Sequence, residues 1–292
     1  MPRRPLGRTG VDLSVVGLGG IVVIGETPSD ADRIVADAIE RGVNYVDVAP
    51  SYGKGEAEAT LGHALKGRRD RVFLACKTTC RDRAGAAAEL RESLARLGTD
   101  HVDLYQLHAL QDVQKDLEAA LAPGGAIEAF RAAREQGLTR FLGFSAHTAE
   151  AALAAIRTGL FDTILYPVNV VCHHQAAFDQ EVLAEARQHG LGILALKAMA
   201  RTPWPAGKPA AERPFRKCWY EPISDPAEAA LALRWTLAQG VTAALPPGDA
   251  RLFHIALNVA AKDRPLLPEE DQALRQLAAG LVPLFRRPAA TP

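Results

Sequence analysis

Four acid–base side chains stand at the ends of short apolar segments of this chain, or just after them. They are a carboxylate, a phenol, an ammonium group and an imidazole, carried by Asp47, Tyr52, Lys77 and His108. A phenol beside an ammonium group is suited to donate a proton, because the positive charge favours the phenolate left behind. A neutral imidazole aimed at the same oxygen would stabilise the negative charge that develops there. Together these groups indicate general-acid chemistry directed at a developing alkoxide.

The roles expected of these groups follow from their charges. Asp47 should pair with Lys77 and keep it charged, and Lys77 should lower the pKa of Tyr52 from its usual value of about 10. Each residue alone also has an ordinary structural interpretation, such as a helix cap, a turn or a buried ring. Their spacing argues for the combination, because intervals of five, twenty-five and thirty-one residues match successive strand ends.

The segments that carry these residues are too short for helices and rich in strand-forming residues: 44–47, 72–77 and 102–108. Such segments alternate with helix-length segments along the chain. This alternation predicts an α/β fold, a (β/α)8 TIM barrel, with the four side chains at the carboxyl rim where barrels place their chemistry. A Thr-Gly pair within 6–13 predicts an N-terminal β-hairpin that plugs the barrel floor, and Pro268 opens an extra C-terminal helix.

The predicted barrel accounts for the whole chain, and residues 1–292 are expected to form a single domain. The predicted strands begin at Val15 and continue at 45–48, 72–75, 102–107, 141–144, 163–165, 192–196 and 241–245. The predicted helices are 29–41, 56–66, 84–97, 126–136, 149–158, 179–189, 226–239 and 251–262.

Composition limits the classes of partner. The chain has 34 Lys and Arg against 34 Asp and Glu, so no overall field attracts nucleic acid or an anionic membrane. The partners are therefore expected to be small molecules. The amino terminus lacks the apolar segment of a signal peptide, and no stretch approaches the length of a membrane span. We expect a cytoplasmic protein.

The cysteines are scattered and form no Cys-x-x-Cys pair, which favours reduced thiols over disulfides or a cluster: Cys76, Cys80, Cys172 and Cys218. Cys172, His173 and His174 are adjacent and carry metal-ligating groups. A solvated loop is the preferred interpretation of that trio, and no metal is expected.

The segment 200–224 has no helical or strand periodicity and contains five prolines. It also carries the aromatic residues Trp204, Phe215, Trp219 and Tyr220, which argue against disorder. Because it follows the seventh strand, it lies on the active rim. We expect it to form a lid or a wall of the substrate site, with a proline-stiffened surface loop as the alternative.

Six motifs of the chain occur together in one known family: Leu6-Gly-Arg-Thr-Gly, Asp47-Val-Ala-Pro-Ser-Tyr-Gly, Glu58-x-x-Leu-Gly, Cys76-Lys-Thr, Ser93-Leu-x-Arg-Leu-Gly-Thr-Asp-x-x-Asp-Leu-Tyr-Gln-Leu-His and Gly143-Phe-Ser. By these motifs the sequence closely resembles the aldo-keto reductases. It implies reduction of an aldehyde or ketone by NAD(P)H, with Tyr52 as proton donor and Asp47, Lys77 and His108 completing a tetrad. NADP(H) is the cofactor expected for such a family, and NAD(H) is the alternative.

The resemblance also places the cofactor over the barrel mouth. The segment Gly17-Leu-Gly19-Gly20 agrees, because it lacks the third spaced glycine of a dinucleotide-binding βαβ unit and is better explained as a tight strand exit. Leu196 stands where the family commonly has an aromatic residue stacked on nicotinamide. The resemblance implies five cofactor-binding residues: Gly19 at the strand exit, Ser145 near the nicotinamide amide, Asn169 as an amide donor, Gly248 in a phosphate nest, and Arg251 facing a 2′-phosphate with Asp249 opposing it.

Other functions use the same residues. A dehydrogenase could run the reverse reaction on a sugar or alcohol hydroxyl with NAD(P)+, because the catalyst is microscopically reversible. A cofactor-binding regulatory subunit is a second alternative, since a fold alone does not establish activity. A ferredoxin-bearing redox protein is a third, but no cysteine follows Cys218 to hold a cluster.

Overall fold

The computed structural model describes residues 1–287 and contains a barrel of eight parallel strands. The barrel consists of β3 to β9 and β12, and the other strands form two short hairpins. In chain order, all strands of the described residues are β1 (Arg3–Pro5), β2 (Asp12–Ser14), β3 (Leu18–Gly19), β4 (Tyr45–Asp47), β5 (Phe73–Thr78), β6 (Leu104–Leu110), β7 (Phe141–Ala146), β8 (Thr163–Pro167), β9 (Gly192–Leu196), β10 (Ala200–Pro203), β11 (Tyr220–Pro222) and β12 (Ala243–Leu245). The predicted (β/α)8 barrel is confirmed. The last residues of the predicted domain, 288–292, lie outside the described residues.

Helices follow the barrel strands, as predicted, and most begin at a side chain that caps the first turn, such as Thr27 or Asp225. They are α1 (Pro28–Glu40), α2 (Glu56–Ala64), α3 (Arg83–Leu97), α4 (Ala119–Leu121), α5 (Ala126–Glu135), α6 (Ala149–Arg157), α7 (Val170–Ala176), α8 (Gln180–Gln188), α9 (Pro226–Ala238), α10 (Ala250–Ala260) and α11 (Pro268–Ala279). The extra C-terminal helix is α11. No helix within residues 1–287 is long and apolar enough to cross a membrane.

The sheet closes on itself between the first and last barrel strands. The amide of Gly17 donates to the carbonyl of Ala244 at 3.0 Å, and the amide of Ala244 donates to the carbonyl of Val15 at 2.9 Å. All barrel strands run parallel in the order β12-β9-β8-β7-β6-β5-β4-β3. Their carboxyl ends therefore meet at one rim.

The amino-terminal hairpin closes the opposite end of the barrel. β1 pairs antiparallel with β2, and the connection between them carries Leu6 into the barrel. Leu6 and Leu13 are fully buried. A Cβ on Gly192 would lie 2.4 Å from Cδ1 of Leu6, so only glycine allows this approach. The predicted plug is confirmed, and it packs on the inward-facing side chains of the barrel: Tyr45, Phe73, Leu104, Leu165, Leu194 and Leu245.

The segment around Cys172 is a short helix, and the expectation of a solvated loop was wrong. Asn169 caps α7 by accepting a hydrogen bond from the amide of Cys172 at 2.9 Å, and the thiol side chain is buried. Nδ1 of His173 lies 2.9 Å from Oδ1 of Asp179. Across residues 1–287, no group of three or more His, Cys, Asp and Glu residues is arranged to hold a metal ion.

We expect Leu6→Ala to lower the free energy of unfolding by about 2–5 kcal/mol, because it leaves a cavity beneath the barrel strands. Val11→Ala is the matched control: Val11 belongs to the same hairpin connection but is only partly buried, and its truncation should cost less than about half as much. Urea denaturation measures both. Equal destabilisation by the two substitutions would contradict the role of Leu6 as the plug.

Candidate active site

A fully buried ion pair lies at the carboxyl rim of the barrel. Nζ of Lys77, on β5, is salt-bridged to Oδ1 of Asp47, the last residue of β4. The same ammonium group donates to the carbonyl oxygen of Val48 at 3.1 Å and to the hydroxyl of Tyr52 at 3.3 Å. The side chains of Lys77 and Asp47 are 0% and 1% exposed. Three of the four predicted side chains are thus in direct contact.

Two residues that the sequence analysis missed hold the carboxylate of Asp47 in place. The hydroxyl of Tyr45 donates to Oδ2 at 3.2 Å, and Nε2 of Gln106 donates to the same oxygen at 3.1 Å. Tyr45 precedes Asp47 by two positions on β4, and Gln106 precedes His108 by two on β6, so each points to the same side of its strand as the predicted residue. That period-two spacing was the signal that would have identified them.

Burial and the charges of the ion pair together determine the pKa values of Lys77 and Tyr52. Burial lowers the pKa of Lys77, but the adjacent charges of Asp47 and Tyr52 outweigh it, and the net pKa is raised. Burial raises the pKa of Tyr52, and the opposing effect of Lys77 does not cancel it. The expectation that Lys77 brings the phenol below its usual pKa was therefore wrong, because desolvation of the phenolate is the larger effect. Tyr52 keeps its proton at neutral pH.

His108 is the fourth member of the cluster and lies near the carboxyl end of β6, at the rim. Its ring meets the ring of Tyr52 edge to face, with centroids 5.8 Å apart. Burial, followed by the charge of Lys77 and by His147, lowers the pKa of His108 to about 2. The imidazole is neutral, and its buried Nδ1 has no hydrogen-bond partner within the described residues. A neutral ring can donate a hydrogen bond without adding a second cation beside Lys77.

The predicted wall segment 200–224 folds against this cluster. β10 pairs antiparallel with β11, and residues just before β11 line a pocket shared with Tyr52 and Leu196. Lys217 fastens the segment to the first barrel connection by donating to the carbonyl of Val22 at 2.8 Å and to Glu26 at 2.7 Å. The segment contributes Lys217, Cys218, Trp219 and Tyr220 to the pocket.

Ser145 and Asn169 are buried at the ends of β7 and β8. Oγ of Ser145 accepts a hydrogen bond from the amide of Ala109 at 2.7 Å, and Ala109 has a left-handed backbone with φ of 57°. Ser145 therefore also stabilises the strained residue that follows His108. Asn169 uses its oxygen to cap α7, while its Nδ2 is buried and lacks a partner within residues 1–287.

The two predicted glycines line the same pocket in different ways. A Cβ on Gly19 would meet nothing within 4 Å, so this position is open toward the pocket. A Cβ on Gly248 would lie 2.3 Å from Cγ2 of Ile21, so this glycine is required by the packing of the rim itself. Gly248 directly precedes Asp249, which caps α10.

Arg251 is already engaged within the protein. Its Nε and one terminal nitrogen bind the two carboxylate oxygens of Asp249 at 2.9 Å each, and that nitrogen also donates to the carbonyl of Pro214 at 2.8 Å. The guanidinium carbon lies 4.6 Å from the centroid of the Phe215 ring. Asp249, predicted to oppose Arg251, instead pairs with it directly, and the pair anchors the segment 200–224 to α10.

Known proteins are similar to this chain in sequence and fold. The family model of the aldo/keto reductase family matches residues 16–217. The uncharacterized oxidoreductase YqkF of Bacillus subtilis is 28% identical, with 94% of this chain and 96% of that protein covered. A 6-dehydroglucose reductase of Novosphingobium aromaticivorans is 28% identical over 73% of this chain and 72% of its own length.

Among solved structures, the holo form of the aldo-keto reductase AKR11C1 from Bacillus halodurans is similar with a TM-score of 0.75 and 25% identity. The similarity covers 98% of this chain and 100% of that one. A family match over more than half of the sequence thus coincides with the closed barrel and the cluster at its rim. The chain belongs to the aldo/keto reductase family of oxidoreductases.

Proposed function

We propose that this protein is an NAD(P)H-dependent reductase of aldehydes or ketones, with Tyr52 as the proton donor. The observation that carries the proposal is the position of Lys77, whose buried ammonium contacts both Asp47 and the hydroxyl of Tyr52. A phenol that is protonated at rest and has a fixed cation beside it is suited to release its proton only when a strong base forms next to it. A carbonyl oxygen that is being reduced is such a base.

In this reaction a carbonyl group gains a hydride at carbon and a proton at oxygen. The nicotinamide, when bound, supplies the hydride. Tyr52 gives its hydroxyl proton to the substrate oxygen, so the carbon–oxygen π bond is replaced by one C–H and one O–H bond. Lys77 stabilises the phenolate that remains, and the neutral ring of His108 donates a hydrogen bond to the oxygen as charge develops. Asp47 keeps Lys77 charged and oriented, held itself by Tyr45 and Gln106.

The carboxyl rim of the barrel also has groups that fit a dinucleotide. The unpartnered Nδ2 of Asn169 and the hydroxyl hydrogen of Ser145 are buried donors suited to a nicotinamide amide. Gly19 leaves open space at the strand exit, and Gly248 stands at the start of α10, where a helix amino end favours phosphate. We propose NADP(H) as the cofactor and NAD(H) as the alternative, with Arg251 as the residue facing the 2′-phosphate.

Burial raises the pKa of Tyr52, so the resting site already holds the proton that reduction consumes. The same groups catalyse alcohol oxidation in reverse, and the dehydrogenase remains the alternative. Tyr52 also contacts both Lys77 and the ring of His108, and these contacts argue for an enzyme over a regulatory subunit. The substrate is a small carbonyl compound, with sugar-derived carbonyls included by the similarity to a 6-dehydroglucose reductase. A panel of aldehydes, ketones and sugars assayed with NADPH and NADH tests this assignment.

Replacing Tyr52 with phenylalanine should abolish carbonyl reduction and leave cofactor affinity nearly unchanged. The substitution deletes the proton needed in the transition state, which should cost more than about 3 kcal/mol, roughly a hundredfold in kcat/KM. Tyr105→Phe is the matched control, because it also removes a buried phenol hydroxyl, one that donates to the Ala86 carbonyl away from the pocket. Near-normal turnover by Tyr52→Phe would refute the assignment.

Lys77→Met should inactivate the enzyme and lower its free energy of unfolding by about 3–5 kcal/mol, because Asp47 loses its buried counter-charge. Adding Asp47→Asn should restore part of the stability and none of the activity. Chemical denaturation and kcat/KM of the single and double variants measure these effects. If the double variant unfolds at no higher denaturant concentration than Lys77→Met, the two residues are not energetically coupled.

Arg251→Ala should weaken NADPH binding by about threefold to tenfold and hardly affect NADH. Its other terminal nitrogen makes no hydrogen bond within residues 1–287 and can donate to a 2′-phosphate, but the paired carboxylate of Asp249 and the exposure of the side chain reduce the gain. Arg275→Ala is the control, since Arg275 is also an exposed arginine paired with an aspartate, on α11. Fluorescence titration with each cofactor measures the difference. Equal weakening of both cofactors, or of neither, would place the 2′-phosphate elsewhere.

A further inference from the structure

Lys197 is a buried lysine beside the catalytic cluster that the proton transfer does not use. It directly follows β9, is 8% exposed, and lines the same pocket as Tyr52. Its backbone has φ of 64°, in the left-handed region that side chains other than glycine rarely adopt. Strain of this kind persists where the surrounding structure holds a residue in place, often at a ligand site.

Within the described part of the chain, the ammonium group of Lys197 has aromatic neighbours but no anionic one. Nζ lies 5.6 Å from the centroid of the Trp219 ring and 5.4 Å from that of Phe285. Within residues 1–287, it makes no salt bridge and no hydrogen bond. Buried lysines are normally paired with an anion, because water no longer solvates the charge. Lys217, which lines the same pocket, has such a partner in Glu26.

The electrostatics of the pocket agree with a missing negative charge. The pKa of Lys197 is lowered to about 7, mainly by burial and also by the charge of Lys77. Cys172 raises the pKa, but by less than burial lowers it. Burial and then Lys197 lower the pKa of His147 to about 3. The single carboxylate among the pocket residues, Asp47, is already occupied by Lys77. Residues 1–287 therefore leave the charge of Lys197 unbalanced.

We propose that Lys197 binds an anionic group of a ligand in this pocket, a carboxylate or a phosphate. The proposal rests on the proposed reductase function, whose two ligands are the two sources of such a group: an acidic substituent of the carbonyl substrate, or the diphosphate of the dinucleotide. Because Lys197 is 8% exposed and its ammonium group lies against Trp219 and Phe285, pairing with an anion costs it little further hydration. An acidic substituent would make the enzyme selective for carbonyl compounds that carry a negative charge.

The first arm of the test compares two aldehydes that differ by one charge, 4-carboxybenzaldehyde and methyl 4-formylbenzoate. The wild-type kcat/KM should favour the acid by at least about tenfold, as expected for a charge-assisted contact. Lys197→Met should remove that preference with little change for the ester, and Lys197→Arg should retain it. Lys208→Met is the matched control, because Lys208 lies 5.2 Å from the Trp204 ring but does not line the pocket.

The second arm measures the dissociation constant of NADPH by tryptophan fluorescence. A rise of at least about tenfold in Lys197→Met, with the ratio between acid and ester unchanged, would identify the diphosphate as the anion. A loss of the acid preference with normal NADPH affinity would identify the substrate. If Lys197→Met alters neither quantity, the proposal is overturned, and the lysine serves only the packing of Trp219 and Phe285.

Two further measurements keep the result interpretable. If Lys197→Met does not fold, as judged by its thermal unfolding, Lys197→Gln gives the same comparison with a neutral side chain of similar length. Equilibrium binding of 4-(hydroxymethyl)benzoate and of its methyl ester needs no turnover. If no aldehyde is reduced by the wild type, the proposed reductase function fails, while a tighter binding of the acid that depends on Lys197 still supports the anion site. Equal binding of acid and ester, with normal NADPH affinity in the variant, overturns it.

Discussion

The buried pair of Lys77 and Asp47 is the interaction on which the site depends. Two fully enclosed charges lose their hydration, a cost that is recovered only if geometry and hydrogen bonding are good. The barrel supplies both: parallel pairing of β4 with β5 aligns the strand ends, and Tyr45 and Gln106 reach Asp47 from inside the barrel. Strands carry Lys77, Asp47 and their partners, and Tyr52 lies in the short helical turn after β4, where its amide donates to the carbonyl of Ala49 at 3.0 Å. The ammonium group is therefore held near the hydroxyl of Tyr52 before any ligand arrives.

Substrate selection is separated from this rigid centre. The segment between β10 and β11 lays Trp219 and Tyr220 over the pocket and is fastened at two points, by Lys217 to the first barrel connection and by Arg251 through the carbonyl of Pro214. Loops on barrels change without disturbing the strands beneath them. The aromatic wall and Lys197 can therefore define which carbonyl compound enters, while the proton transfer stays the same.

Much of this was predictable from local sequence patterns, because strand ends are marked by where apolar runs stop. The barrel, its plug and the meeting of Asp47, Tyr52, Lys77 and His108 follow from that pattern. The raised pKa of Tyr52 did not, since desolvation depends on burial that sequence spacing does not show. Gln106 was missed although it precedes His108 by two positions, because it lies inside an apolar strand. Lys197 was missed because only the folded barrel shows that the residue after β9 lines the pocket. The direct pairing of Arg251 with Asp249 was also not predictable. The two residues are close in sequence, but only the structure shows that their side chains point toward each other.

Reduction at this site requires that Tyr52 retain its proton at neutral pH and give it to the substrate. The most direct measurement is the pH dependence of kcat/KM for an uncharged aldehyde, benzaldehyde, at saturating NADPH. The active form is the protonated phenol, and its pKa is raised above the usual value of about 10, so activity should be constant from about pH 6 to 9 and fall only as the pH rises beyond about 10. His108, with its pKa lowered to about 2, adds no transition in that range. Lys197, with its pKa lowered to about 7, titrates within it, so the same profile is measured for Lys197→Met. A loss of activity with a midpoint between about pH 7 and 8.5 in both proteins would contradict this, because the proton donor would then ionise where the structure keeps it neutral.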